Sequence, residues 1–375
     1  MPNFHQILIK IVLVLFTLMT VKGQSTVFEG GESGYSCFRI PAITEVNNKL
    51  IAFAEGRRNS CSDFGDVDIV MKTSDDLGEN WSELKVIVNN SSLQASNPAP
   101  VYDVKDPRNP DGRLFLFYNT GTASEAEIVS GKGVRETWFI TSLDGGQGWS
   151  EPQNITTQVH RPFEPEYNTS YSFQEDWRHH ALTPGHGIQL ASGRLYIPVN
   201  VSVGEVLNGK IPYRAGAFYS DDHGDSFQIA NLLEQPGSNE CTAVELSNGE
   251  VILNARDQTE KTGKRFTARS TNQGQSWDME AVDSFLTDPV CQGSFEIIRG
   301  KKNDLVLLSQ VFHSTKRENL SLHLSKDGAK TWFKTMTIDS GSSAYSDLVV
   351  LSKNRVGVLY EKNNYQRIVF KVIKL

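Results

Sequence analysis

Four arginines, a tyrosine and two glutamates stand far apart in this chain, yet at equivalent places relative to short β-prone runs. Arg39, Asn97, Glu240 and Tyr345 fall where the first strand of a hairpin would begin, and Arg57, Arg256 and Glu361 where a second strand would end. Arg317 follows the apolar run Leu305 to Phe312 at the matching place of another unit. In an antiparallel hairpin those two places lie at the same edge. Any one of these residues alone reads as a solvated surface group. Several cations converging on one edge need a compensating anion, so their common placement predicts an anionic ligand.

The elements that must position them are announced by a repeat. Ser74 to Trp81 reads S-x-D-x-G-x-x-W, and the octamer returns at Ser142 to Trp149, Ser220 to Phe227, Ser270 to Trp277 and Ser325 to Trp332. Phe227 replaces the terminal Trp, Asn272 replaces Asp, and Ala329 replaces Gly, which puts the stability of the last two turns in question. The octamer is turn chemistry: Asp or Asn caps backbone N–H groups, Gly supplies a positive φ, and the aromatic anchors the turn. A calcium loop is the weaker reading, because too few oxygens are supplied. Between the copies lie strand-like runs such as Leu114 to Tyr118 and Trp138 to Ile140. Hairpins are expected at Ala42–Ala54, Ile188–Val199, Ala243–Asn254 and Leu348–Tyr360. Long amphipathic helical patterns are absent. Repeated four-stranded units of roughly fifty residues predict an all-β, six-bladed β-propeller of antiparallel sheets. The run Ile368 to Ile373 would close the ring against an N-terminal strand.

Composition bounds the rest. The chain has 375 residues and a net charge of −7, which argues against a nucleic-acid partner. Ile11 to Val21 is almost wholly apolar, follows Lys10 and precedes Val21-Lys22-Gly23, so residues 1–23 read as a signal peptide and 24–375 as one domain. No membrane span is expected, and the chain is expected to be secreted, or periplasmic in a Gram-negative host. Six N-x-S/T regions, among them Asn154 and Asn319, would matter only in a glycosylating host. Cys37, Cys61, Cys241 and Cys291 allow three pairings; a Cys37–Cys61 bridge and free buried thiols both remain open.

Phe38-Arg39-Ile40-Pro41, the five octamers, Asn97 to Asp103, Asn239-Glu240-Cys241 and Tyr345-Ser346-Asp347-Leu348 together resemble the sialidase (neuraminidase) family, across essentially the whole of 24–375. The octamers resemble its Asp-boxes. The resemblance implies an exo-α-sialidase that hydrolyses terminal sialic acid with retention and needs neither cofactor nor metal. Its partners would be sialylated glycoproteins, glycolipids or oligosaccharides. Arg39, Arg256 and Arg317 would hold the sugar carboxylate, Tyr345 would be the nucleophile, and Glu240 would take its proton. Asp63 would be the general acid/base on the small-residue loop Asn59 to Gly65. Glu361 would hold Arg39, Arg57 and Asn97 would meet ring substituents, and Glu55 would be a neighbour.

The physical logic is coherent. Sialic acid carries its carboxylate on the anomeric carbon, so a neutral tyrosine avoids the repulsion a carboxylate nucleophile would meet. The acid must carry a proton, so Asp63 is expected to have a raised pKa. Pro198 to Ser202 lacks tyrosines that some animal members place near the glycerol tail, which leaves those contacts unassigned, and neither Glu125 nor Glu127 is expected to reach the ligand. Trans-sialylation, an anhydro-sugar product and a noncatalytic glycan-binding propeller are the alternatives. The retained set Asp63, Glu240 and Tyr345 argues against the last.

Overall fold

The computed structural model describes residues 23–375; the expected signal peptide lies outside the described residues except for Gly23. The fold is all-β, as expected. Its helices are single turns such as Glu125–Val129 and Thr156–Val159.

The strands run consecutively and antiparallel. Cys37–Val46, Lys49–Arg57, Val67–Ser74 and Lys85–Val88 pair in order. One parallel pair, Val67 with Gln94, joins them to Gln94–Asp103, Arg113–Gly121, Arg135–Ser142 and Gln153–Asn154. A separate sheet holds Trp177–Leu182, Leu195–Val203, Tyr213–Ser220 and Gln228–Ile229, and another Ser238–Glu245, Val251–Asp257, Lys264–Ser270 and Met279–Thr287. In the last sheet, Gly293–Ile298, Leu305–Val311 and Glu318–Ser325 lead into the long strand Lys334–Ser352, which continues to Arg355–Lys362 and Arg367–Lys374. Ser25–Glu29 then pairs with Arg367–Lys374, Ser25 opposite Phe370, so the C-terminal run closes onto an N-terminal strand.

Three of the four expected hairpins form as read. Asn47 and Asn48 turn the first with φ of 52° and 65°, the left-handed pair that a two-residue hairpin needs. The fourth needs correction. Ile188–Gln189 does meet Leu195–Tyr196, but the principal partner of Leu195–Val203 is Trp177–Leu182. Trp177–Leu182 carries two adjacent histidines, His179 and His180, and lacks the apolar alternation that marks a strand in sequence.

All five octamer turns share one hydrogen-bond pattern. In the first, Ser74 Oγ donates to Asp76 and accepts from the Gly78 N–H at 2.9 Å, while Asp76 Oδ1 accepts from the Asn80 N–H at 2.9 Å. Asn272 keeps this pattern, accepting from Ser270 Oγ at 2.7 Å. Ala329 also keeps it, accepting φ = 59° beside Gly328, so neither replacement breaks its turn. The aromatic ends the turn in the core: Trp81 stands edge-on to Phe370, and Trp149 edge-on to Phe53.

The apolar clusters lie between neighbouring groups of strands. Phe115, Phe117 and Phe139, for example, pack with Leu195, Ile197, Phe218 and Phe227. First strands are also laced to one another: the Ile43 N–H donates to Asp347, the Phe295 N–H to Thr242 and the Leu348 N–H to Ser294. This lacing fixes the relative height of the strand starts from which the candidate residues project.

Candidate functional site

Each of four first strands bulges where it carries a candidate residue. Register shifts occur between Arg39 and Ala42, Ser96 and Ala99, Ser238 and Cys241, and Ser343 and Ser346. Ile40 and Asn97 take positive φ within two of these bulges, at 57° and 54°. A bulge breaks the two-residue alternation and re-aims a side chain along the strand axis. That is how Arg39, Asn97, Glu240 and Tyr345 leave the sheet faces and reach one cavity of about 610 Å³. Arg57, Arg256 and Arg317 enter it from strand ends, and Glu55 and Asp63 also line it. Glu361 does not line it; it lies fully buried underneath.

Glu361 orders the floor. Its carboxylate accepts from Arg39 Nε at 2.9 Å and Nη2 at 3.2 Å, and from the N–H groups of Ile40 and Tyr345 at 3.0 and 3.1 Å. The forked pair locks the Arg39 guanidinium plane. Arg39 lies over the rings of Tyr345 and Tyr365, at 5.0 and 4.3 Å, and Arg317 also lies over the Tyr345 ring at 5.3 Å. Arg317 donates to Tyr365 Oη and to the Val290 carbonyl, and pairs with no carboxylate among the described residues.

Tyr345 Oη donates to Glu240 Oε1 at 2.8 Å and accepts from Arg256 Nη1 at 2.8 Å. The same Arg256 nitrogen is 2.6 Å from Glu240 Oε2. Burial lifts the Tyr345 phenol above its ordinary value, against the pull of Arg256. Burial also raises the Glu240 carboxyl, outweighing Arg256 and the tyrosine hydrogen bond. A glutamate made more basic beside a buried phenol is a suitable acceptor for its proton.

Asp63 corrects the expectation of a raised pKa. Desolvation by the surrounding cavity walls works upward, but Arg57 and Arg39 outweigh it and hold the carboxyl below its ordinary value. Asp63 Oδ1 lies 2.7 Å from Arg57 Nη1 and 3.3 Å from Arg39 Nη1, while its side chain is 82 % exposed. Sequence alone could not show that an acid on this loop would pair with two site arginines. The loop itself is tethered: Cys37 and Cys61 form a disulfide, and Arg57 Nη1 donates to the Cys61 carbonyl. Cys241 and Cys291 are free and buried.

Arg57 is only 2 % exposed, and most of its donors are engaged by Glu55, Cys61 and Asp63. Glu55 also accepts from the Asn97 N–H, and the Asn97 amide donates to the Leu182 carbonyl. Arg57, Glu55 and Asn97 thus form a braced wall.

The opposite flank was missed. Glu125 lines the cavity, whereas Glu127 is spent capping its own helical turn with Ser124. Tyr213 donates to Glu125, and Arg135 and His179 stand close by. Burial opposes ionisation of Glu125, but His179, Arg135 and the Tyr213 hydroxyl together bring it down to about 2. His179 is itself pushed down to about 4 by burial and is neutral at neutral pH, so Arg135 and Tyr213 carry the anion there. None of these residues belongs to a motif; only the tertiary fold brings them to the cavity.

Comparison with known proteins places this geometry. Residues 48–358 match the model of the BNR repeat-like domain. The chain is 30 % identical to Sialidase-2 of Cricetulus griseus over 94 % of its length and 95 % of the relative's. It is 29 % identical to the sialidase of Micromonospora viridifaciens over 88 % of its length, but spans only about half of that protein. Among solved structures, the Hadza microbial sialidase Hz136 superposes with a TM-score of 0.80 at 25 % identity, covering 94 % of this chain and 68 % of that one. The Trypanosoma rangeli sialidase, at 18 % identity, shares the fold with a TM-score of 0.71, over 90 % of this chain and 55 % of that one.

Proposed function

Because the chain belongs to the sialidase family, we propose that it is an exo-α-sialidase that hydrolyses terminal sialic acid from glycoconjugates with retention of configuration. The observation that carries this reading is the Tyr345–Glu240 hydrogen bond of 2.8 Å, ringed by Arg39, Arg256 and Arg317. A phenol with an adjacent base is an activated nucleophile, and three guanidinium groups around it suit a substrate whose carboxylate sits on the reacting carbon. The three arginines hold that carboxylate. Tyr345 attacks the anomeric carbon as Glu240 receives the phenol proton, and Arg256 stabilises the charge developing on Oη. Asp63 protonates the leaving oxygen, then accepts a proton from the water that releases the sugar.

The strand groups support a six-bladed propeller formed by 24–375 as a single catalytic domain, with Ser25–Glu29 completing the last blade. The Cys37–Cys61 disulfide supports export to an oxidising compartment. No helix among the described residues is long and apolar enough to cross a membrane.

The direct test is incubation with sialyllactose, followed by proton NMR of the first sugar released. The expected product is free α-sialic acid. Absence of release, or a β-anomer as first product, sinks the reading. Transfer to lactose or an anhydro sugar would replace hydrolysis as the outcome while keeping the site.

The low pKa of Asp63 in the free protein has a kinetic consequence. A substrate carboxylate on Arg39 would draw that cation away from Asp63 and add a negative charge nearby, both of which raise its pKa. The quantity kcat/KM reports the free enzyme and kcat the complex. With sialyllactose the alkaline limb of kcat is therefore expected at higher pH than that of kcat/KM. Coincident limbs would show that Asp63 does not respond to the ligand.

A further inference from the structure

Asp63 stands on a loop without regular secondary structure and is largely exposed, yet general acid catalysis requires its carboxyl to be placed within a hydrogen bond of the leaving oxygen. Besides Arg57, a second buried side chain reaches that loop from the cavity wall. Gln94, 2 % exposed at the start of Gln94–Asp103, donates through Nε2 to the main-chain carbonyl of Asp63 at 2.5 Å. Its other amide atom is committed: Oε1 accepts from Arg135 Nη2 at 3.1 Å, and Arg135 Nη1 is 3.0 Å from His179 Nε2. The amide cannot flip without losing both bonds, because Arg135 can only donate and the Asp63 carbonyl can only accept.

We propose that Gln94, oriented by Arg135, is a positioning residue for the general acid, clamping the backbone of Asp63 so that its carboxyl faces the leaving group. This rests on the sialidase reading above. The Cys37–Cys61 bridge holds the loop two residues earlier, and Arg57 holds the Cys61 carbonyl. Gln94 is the tether that acts on the acid's own peptide unit. It touches neither the nucleophile nor the carboxylate-binding arginines; its one other side-chain partner is Arg135, which Gln94→Glu retains.

The choice of leaving group separates positioning from mere structure. A para-nitrophenol departs without protonation, whereas the lactose of sialyllactose needs the acid. In Gln94→Glu the partner of Arg135 is kept while the donor to Asp63 is lost; Gln94→Met removes both polar roles at similar length. For either variant, kcat/KM on sialyllactose, which covers the steps up to departure of the leaving group, is expected to fall about 100-fold, the scale of a displaced catalytic group, and kcat/KM on para-nitrophenyl sialoside less than about threefold. On the aryl substrate kcat and KM should fall together, because release of the sugar also uses Asp63, and the alkaline limb of the sialyllactose kcat/KM profile should flatten.

Equal losses on the two substrates, or no loss on sialyllactose, would overturn the proposal. Failure of both variants to fold would assign Gln94 to structure and overturn it as well. A wild-type protein that cleaves neither substrate would sink the parent reading. A wild type that cleaves both, with variants equally impaired on both, would sink only this one.

Discussion

Tyr345→Phe is expected to lower kcat on a fluorogenic sialoside by at least ~10⁴-fold, the scale seen when a covalent nucleophile is removed. The substitution is well suited to the question because it leaves almost everything else in place. The ring would keep its contacts with the guanidinium groups of Arg39 and Arg317. The Tyr345 N–H would still donate to Glu361. What disappears is one oxygen, with its bonds to Glu240 and Arg256. Those two partners lie 2.6 Å apart, but Glu240 Oε2 accepts no hydrogen bond among the described residues and Oε1 would lose its donor, so stability should fall by about 1–3 kcal/mol. The check is kcat together with a thermal melt. Activity within about tenfold of wild type, a barrier change near 1.4 kcal/mol, would exclude Tyr345 as nucleophile.

Arg317→Ala is expected to lower kcat/KM by roughly 10²–10³-fold, as loss of a charge-assisted contact to a substrate carboxylate does, while the melting temperature moves little. Arg317 is the clean choice among the three arginines. Arg39→Ala would strand the fully buried carboxylate of Glu361, at about 3–5 kcal/mol of stability, and the loss of activity would then be mixed with unfolding. Arg256→Ala would remove the partner of Tyr345 and Glu240 together with the carboxylate contact. Arg317 donates only to the Tyr365 hydroxyl and a main-chain carbonyl, so its removal leaves no buried carboxylate unpaired. A change below about fivefold in kcat/KM, near 1 kcal/mol, would remove Arg317 from the carboxylate site. Measurement at two salt concentrations adds a control, since a fully enclosed pair is screened much less than a surface one.

Much of this architecture was legible in the chain because its signals are local. The octamer turns depend on a serine, an aspartate and a residue of positive φ within eight positions, and they form alike at all five places. The two-residue hairpin at Asn47-Asn48 is likewise local chemistry. The strand Trp177–Leu182 was illegible for the opposite reason: His179 and His180 are buried by neighbouring sheets, so its pattern reflects a site and a core that are distant in sequence.

Residue type and spacing along the chain set which side chains arrive at the strand starts and ends, from Arg39 and Glu240 to Arg317 and Tyr345, and so the charge of ligand they suit. Spacing and residue type suffice for that, because each hairpin carries its own edge. The state of those residues depends on contacts made across the whole fold. Bulges re-aim four of them, Glu361 locks Arg39, and Glu125 joins the cavity wall through Tyr213 and Arg135. Asp63 is the sharpest case. Its role could be carried over from a resemblance, but its charge state could not, because electrostatic interaction and desolvation sum over groups gathered from the whole fold.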